Sequence, residues 1–154
     1  MRVMAIDYGD ARTGVAVSDE SLTLTGEAWV IQSRRENEVA QLILNEATIR
    51  GVSSIIVGYP KNMDGSVGPR AEKCEQFAAL LRSITGQADS SSCPFNIEIK
   101  LWDERMTTKS AHRVLSEVGR FGKKRKKTID AVAASLILEN YLSFLKISSA
   151  QKEV

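Results

Sequence analysis

Met4-Ala5-Ile6-Asp7-Tyr8-Gly9-Asp10-Ala11-Arg12-Thr13-Gly14-Val15-Ala16-Val17-Ser18 is the stretch on which the fold turns. It holds two short apolar strands, Val3–Ile6 and Gly14–Val17, joined by a tight polar connection flanked by Gly9 and Gly14. Asp7 stands where the first strand meets that connection. A carboxylate at such a junction is held rigidly yet faces solvent, which is the placement a catalytic metal ligand needs. The same placement also suits an ordinary turn residue. Only the rest of the chain can separate these readings.

Working outward, Thr23–Gln32 is a third extended stretch, and three strands with short links predict an antiparallel meander. The spacing of Val39, Leu42, Ile43 and Ala47 predicts a helix over Arg35–Arg50, stopped by Gly51. Ser54–Gly58 is a continuous apolar run of the kind found in buried parallel strands. A Gly- and Pro-containing loop, Tyr59–Pro69, leads to a second helix over Pro69–Thr85 with Cys74, Phe77, Ala78 and Leu81 on its stripe. Gly86–Pro94 reads as a surface loop. Ile97, Ile99 and Leu101 alternate in a strand over Asn96–Leu101. Helices are then expected over Thr108–Val118 and Ile129–Leu145, the second striped by Ala134, Ile137, Leu138, Tyr141 and Leu145. The result is an α/β fold: a five-stranded mixed sheet, three antiparallel strands then parallel ones, flanked by about four helices. One domain over residues 1–147 is expected, with a frayed polar tail over 148–154.

The bulk numbers narrow the function classes. A chain of 154 residues with 43% apolar and 26% charged residues suits one ordinary core. There is no run of about 18 apolar residues, so no membrane span is expected. Asp7 interrupts the N-terminal apolar run, so no signal peptide is expected and a cytoplasmic location is. Cys74 and Cys93 form no CxxC pair and no Cys/His cluster, which argues against structural zinc. The net charge of +2 is small, but Lys123, Lys124, Arg125, Lys126 and Lys127 form a continuous basic run.

Three acids share a peculiarity of position. Asp7 ends the first strand, Glu104 follows the last strand, and Asp130 opens the final helix. Asp130 lies four residues before Ala134, so it extends that helix's buried stripe toward the sheet. A carboxylate there needs a cation or a donor, because burying it unpaired is costly. A helix N-terminus would also favour it, by about 0.3–1 kcal/mol. Glu104 could equally form a surface ion pair of little net value. If the first and fifth strands are neighbours and the last helix crosses their ends, the three acids converge. Oxygen-only ligands without His or Cys suit Mg²⁺ or Mn²⁺, and paired ions of this type serve phosphodiester hydrolysis. The basic run immediately before Asp130 would then grip flanking phosphates of a polyanion. Lys61, Asn62 and Ser66, in the loop after the fourth strand, are further candidates for phosphate contact, beside the reading of an ordinary Asp-Gly turn. His112 reads as a solvent-facing helix residue, and Trp29 and Trp102 as packing residues.

Four ordered motifs now resemble one family. Asp7-Tyr8-Gly9 with Arg12, Gly14-Val15-Ala16 and Asp19 is similar to the opening motif of the YqgF (RuvX) family, as is Val57-Gly58-Tyr59-Pro60 leading to Asn62-Met63-Asp64-Gly65-Ser66. Asp103-Glu104-Arg105 with Thr107, Thr108 and Ala111 resembles its third motif, and Lys126-Lys127 with Ile129-Asp130-Ala131-Val132-Ala133-Ala134 its fourth. Tyr59 departs from the pattern, since many relatives carry a smaller or aliphatic residue there.

The resemblance implies an RNase H-like fold related to RuvC-type resolvases. It implies a metal-dependent nuclease in which Asp7, Glu104 and Asp130 are both catalytic and metal-binding, with Mg²⁺ or Mn²⁺. Arg12 and Arg105 join Lys61, Asn62, Ser66 and Lys123–Lys127 as nucleic-acid contacts. Family members are described as nucleases that mature the 5′ end of precursor 16S ribosomal RNA, and as resolvases of Holliday junctions. The expected partner is therefore structured RNA or, as the alternative, branched DNA, bound by a monomer or a homodimer. A non-catalytic binding module on the same fold could dispense with the acids, and all three are present. An actin-like ATP-binding fold needs two lobes and more chain. A haloacid-dehalogenase-type phosphatase needs a second Asp where Gly9 stands.

Overall fold

The structure, a computed structural model, describes residues 2–62, 64–86, 97–103 and 126–152. Its strands are β1 (Arg2–Asp7), β2 (Arg12–Ser18), β3 (Thr25–Gln32), β4 (Val52–Tyr59) and β5 (Glu98–Asp103). Its helices are α1 (Glu36–Ile49), α2 (Pro69–Gly86) and α3 (Lys126–Lys152). The five strands form one sheet in the order β3-β2-β1-β4-β5. The β1–β2 and β2–β3 pairs are antiparallel, while β1–β4 and β4–β5 are parallel. The meander and the parallel addition expected from the sequence are both present. The expected helix over 108–118 lies outside the described residues, as do Glu104, Arg105, His112 and Lys123–Arg125.

Strand alternation sorts the side chains onto two faces. Met4, Ile6, Val15, Val17, Ile55 and Val57 face α1 and α2, where they meet Val39, Ile43, Phe77 and Leu81 in the larger core. Val3, Ala5, Ala16 and Ile56 face α3, where they meet Ala134, Ile137, Leu138 and Tyr141. The α3 face is built from small residues at β1 and β2 and from large ones, Ile56 and Trp102, further along. A helix packed on such a surface comes closest over the small residues.

Gly14 makes that approach closest of all. A Cβ on it would stand 2.6 Å from the carbonyl carbon of Asp130 and would collide with its carbonyl oxygen. The helix therefore rests backbone-on-backbone against β2. Ile129–Ser148 is apolar and long enough, by composition alone, to cross a membrane. Ala134, Ile137, Leu138, Tyr141 and Leu142 of this stretch are buried against the sheet, while Phe144 and Ile147 are exposed.

Several boundaries and contacts differ from the sequence expectation. β1 and β5 are not neighbours, because β4 lies between them. Leu42 is 41% exposed; Ala40 and Leu44 complete the α1 stripe instead. α3 begins at Lys126, three residues before the expected start, and continues to Lys152. No Gly or Pro interrupts 146–152 to stop it. The early start puts Asp130 beyond the first turn of its helix, where the dipole's pull on a carboxylate has faded. Trp102 packs edge-on against Tyr141, and Trp29 lies under the Arg50 guanidinium, so both tryptophans are packing residues.

Gly14→Ala should displace α3 from β2 at a cost of about 1–3 kcal/mol, the usual range for overpacking. Urea denaturation of the variant beside the parent chain measures this. Unchanged stability would show that the helix can slide away freely.

Candidate active site

Asp7 is the last residue of β1 and pairs in register with Gly14 of β2. Alternation puts its side chain on the α3 face, in step with Val3 and Ala5. Because α3 sits down on Gly14 at Asp130, the two carboxylates are brought to one spot. Two of the three acids singled out in the sequence therefore share a site. The third, Glu104, immediately follows β5, which ends at Asp103 opposite Tyr59 of β4. Glu104 itself lies outside the described residues.

The acids sit beside a cleft of about 460 Å³ lined by Tyr8, Gly9, Asp10, Ala11, Arg12, Pro69, Arg70, Lys73 and Asp130. Arg12 Nε stands 3.6 Å from Asp130 Oδ2, and an Arg70 guanidinium nitrogen 3.8 Å from Asp7 Oδ1. Lys73 Nζ donates to Asp10 Oδ1 at 2.8 Å. The turn that carries Asp7 is compact: a Cβ on Gly9 would collide with the carbonyl oxygen of Arg12. Tyr8 stacks on Phe77 of α2 with ring centres 4.2 Å apart, and the Tyr59 hydroxyl donates to the Glu75 carboxylate. These contacts fasten the start of α2 beside the end of β1.

The Asp7 side chain is only 14% exposed. Burial, opposed by Arg70 and reinforced by the charge of Asp130, pushes its carboxyl up to about 6 from an ordinary 3.8. Burial also raises the Asp130 carboxyl, against the pull of Arg12 and Arg70. Two acids held together, Asp7 mostly buried and Asp130 half-buried, and both resisting ionisation, form a place where a cation is favoured. The donors are carboxylate oxygens, as Mg²⁺ or Mn²⁺ prefers. Among the described residues no third Asp, Glu, His or Cys joins them.

Other sequence candidates fall differently. Arg12 lines the cleft. Lys61, Asn62 and Ser66 do not line it. Asn62 donates to Ser66 Oγ at 2.9 Å, Ser66 donates to Asp64, and Lys61 lies over the Tyr59 ring, so these side chains brace their own loop. The side chains of Lys126 and Lys127 lie outside the described residues, although their backbone forms the first turn of α3. Asp19 accepts from Ser21 and Thr23 in an exposed turn, with its carboxyl lowered to about 2 chiefly by the Thr23 backbone N–H. Arg70 and Lys73 were not singled out from the sequence. A signal was present for Arg70: a cation in the first turn of a helix opposes its dipole.

A sequence profile of the RuvX family, described as a Holliday junction resolvase, matches residues 1–144. The chain belongs to the RuvX family. Among RuvX relatives, a protein of Halothermothrix orenii named "Putative pre-16S rRNA nuclease" is 43% identical over 145 residues, covering 94% of this chain and 96% of its own. A Geobacillus kaustophilus protein of the same name is 42% identical over 144 residues, covering 92% and 97%. In fold, the chain is similar to Thermus thermophilus RuvC solved with a Holliday junction substrate. The TM-score is 0.59 at 16% identity, covering 94% of this chain and 96% of that one. A second T. thermophilus RuvC structure gives 0.55 at 12% identity, with the same coverage. The fold is thus the RNase H-like resolvase fold that the sequence motifs implied.

The raised Asp7 carboxyl has a consequence for stability. Its folded-state value lies above its unfolded one, so the site's stability is whole below pH 3.8 and is lost as pH rises through about 6. In the metal-free chain at pH 7.5, Asp7→Asn should therefore stabilise the fold by about 1–3 kcal/mol. The gain should disappear by about pH 4. Urea denaturation at the two pH values tests this, and a loss of stability at pH 7.5 would contradict a strained, buried carboxylate.

Proposed function

We propose that this chain is a metal-dependent endonuclease that matures the 5′ end of 16S ribosomal RNA from its precursor. The observation that carries the reading is the pairing of Asp7 with Asp130 over Gly14, at a cleft rimmed by Arg12, Arg70 and Lys73. Buried acids flanked by cations suit a polyanion whose scissile phosphate needs a metal and whose neighbouring phosphates need positive charge. The choice of ribosomal RNA rests on the name shared by RuvX relatives about 40% identical over nearly the whole chain.

Asp7 and Asp130 would hold Mg²⁺ or Mn²⁺, with Glu104 as the third carboxylate. Bound there, paired divalent ions would activate the attacking water and neutralise charge on the leaving oxygen. The chain's own part is positional. β1 fixes Asp7, because its backbone is paired on both sides. The contact at Gly14 fixes Asp130. Arg12 orients the Asp130 carboxylate from the cleft side and leaves its charge available to a neighbouring phosphate. Lys123–Lys127, just before Asp130 in sequence, would extend the phosphate path along the substrate. The alternative substrate, a four-way DNA junction, draws on the description of the RuvX profile.

Asp7→Asn, Glu104→Gln and Asp130→Asn should each lower cleavage of precursor 16S RNA by about a hundredfold or more, while substrate binding persists. Gel assays with Mg²⁺, with Mn²⁺ and without metal measure this, alongside a four-way DNA junction. Wild-type rates in all three variants would refute the metal centre. Faster cutting of the junction than of the RNA would select the alternative substrate. Neutralising Lys123–Lys127 should flatten the salt dependence of binding by about 0.7–0.9 in slope for each phosphate that is no longer neutralised. An unchanged slope would remove that run from the substrate path.

A further inference from the structure

Arg70 is the second residue of α2, on the far side of the sheet from α3. It nevertheless reaches around the end of β1 to within 3.8 Å of Asp7. Its charge also acts on Asp130, whereas Arg12 is paired only with Asp130. Among the described residues, Arg70 is thus the cation that serves both acids.

Three features show that this is a loose contact. The Arg70 side chain is 70% exposed. At 3.8 Å the pair is well outside the roughly 2.7–2.9 Å of a charge-assisted hydrogen bond. Among the described residues the guanidinium donates no hydrogen bond at all. By contrast, the adjacent Lys73–Asp10 pair closes to 2.8 Å. Helix stability does not explain the location either, since a cation in the first turn opposes the helix dipole.

We infer that Arg70 exchanges partners during the reaction cycle: it screens Asp7 while the acids lack a cation, and turns to a substrate phosphate once a divalent ion displaces it. The inference rests on the reading of Asp7 and Asp130 as a metal centre. A divalent ion seated on the Asp7 carboxylate takes over the charge balance that Arg70 supplies, and the two cations repel. The released side chain stays tethered to α2, beside the phosphate that the metal holds. Its planar fork matches two oxygens of that phosphate, which a lysine's single ammonium does not. The exposure of the side chain gives it the freedom to make the turn. Arg70 therefore competes with metal in the free protein and cooperates with it when substrate is bound.

The test compares the full-length chain with Arg70→Ala and Arg70→Lys. Lys146→Ala is the charge control, exposed and about 24 Å along α3 from Asp130. Mn²⁺ binding, read by electron paramagnetic resonance without substrate, should tighten about two- to fivefold in Arg70→Ala, the size of a partly screened ion pair. It should not change in Lys146→Ala. With Mn²⁺ present, Arg70→Ala should lower the salt slope of nucleic-acid binding by about 0.7–0.9, the value of one phosphate. Arg70→Lys should restore that slope but not the full cleavage rate. If the parent chain binds no Mn²⁺, or Asp7→Asn leaves Mn²⁺ binding intact, the metal-centre reading fails. If the parent binds Mn²⁺ through Asp7 but Arg70→Ala alters neither Mn²⁺ affinity nor salt slope, the partner exchange is wrong. Weaker Mn²⁺ binding in Arg70→Ala would also overturn it, because Arg70 would then only hold Asp7 in place.

Discussion

The close approach of α3 to β2 at Gly14 is the contact on which the site depends. A helix normally stands off a sheet by the thickness of two layers of side chains. Here Ala5, Gly14 and Ala16 remove most of one layer, and the Asp130 backbone settles into the space. Asp7 lies directly across the β1–β2 ladder from Gly14. Packing of small residues therefore does what no local preference could: it sets two like charges side by side. The large residues on the same face, Ile56 and Trp102, sit under other parts of the helix and fix its tilt.

That arrangement stores electrostatic tension, and the surroundings only partly relieve it. Burial holds Asp7 up at about 6, and Asp130 adds to the effect. Arg12 and Arg70 each approach an acid without closing a tight ion pair. Tight pairing would neutralise the acids and leave no affinity for a cation. The observed compromise leaves both acids close to a cation but neither fully compensated. The tension is borne by a strand end that is held in place: Ile6 pairs with β2 and β4, and Asp7 pairs with Gly14.

The anchoring of α2 shows how one fold face supports the other. Tyr8 directly follows Asp7, yet it points the opposite way and stacks on Phe77. Adjacent residues of the strand end thus bind the two helical layers, Asp7 toward α3 and Tyr8 toward α2. Tyr59 adds a second tie through Glu75. The N-terminus of α2 is held at the cleft by these rings, which brings Arg70 and Lys73 to its edge.

The sequence alone determined the order of the strands along the chain, the three described helices and the antiparallel-then-parallel sheet, and it singled out Asp7 and Asp130 as oddly placed acids. These follow from periodicity, turn chemistry and the odd placement of acids, all of which are local signals. It did not show that β4 separates β1 from β5, because strand order depends on how crossovers pack. It started α3 too late, since Lys126 and Lys127 look like loop charges until the helix is seen to include them. It singled out Lys61, Asn62 and Ser66 by residue type, and the structure adds that Asn62 and Ser66 are hydrogen-bonded within their own loop. It passed over Arg70 and Lys73, which only gain meaning when α2 is brought beside the end of β1. Residue type and spacing reveal which side chains are unusual. Which of them meet is decided by packing between elements far apart in the chain, and here by the missing side chain of Gly14.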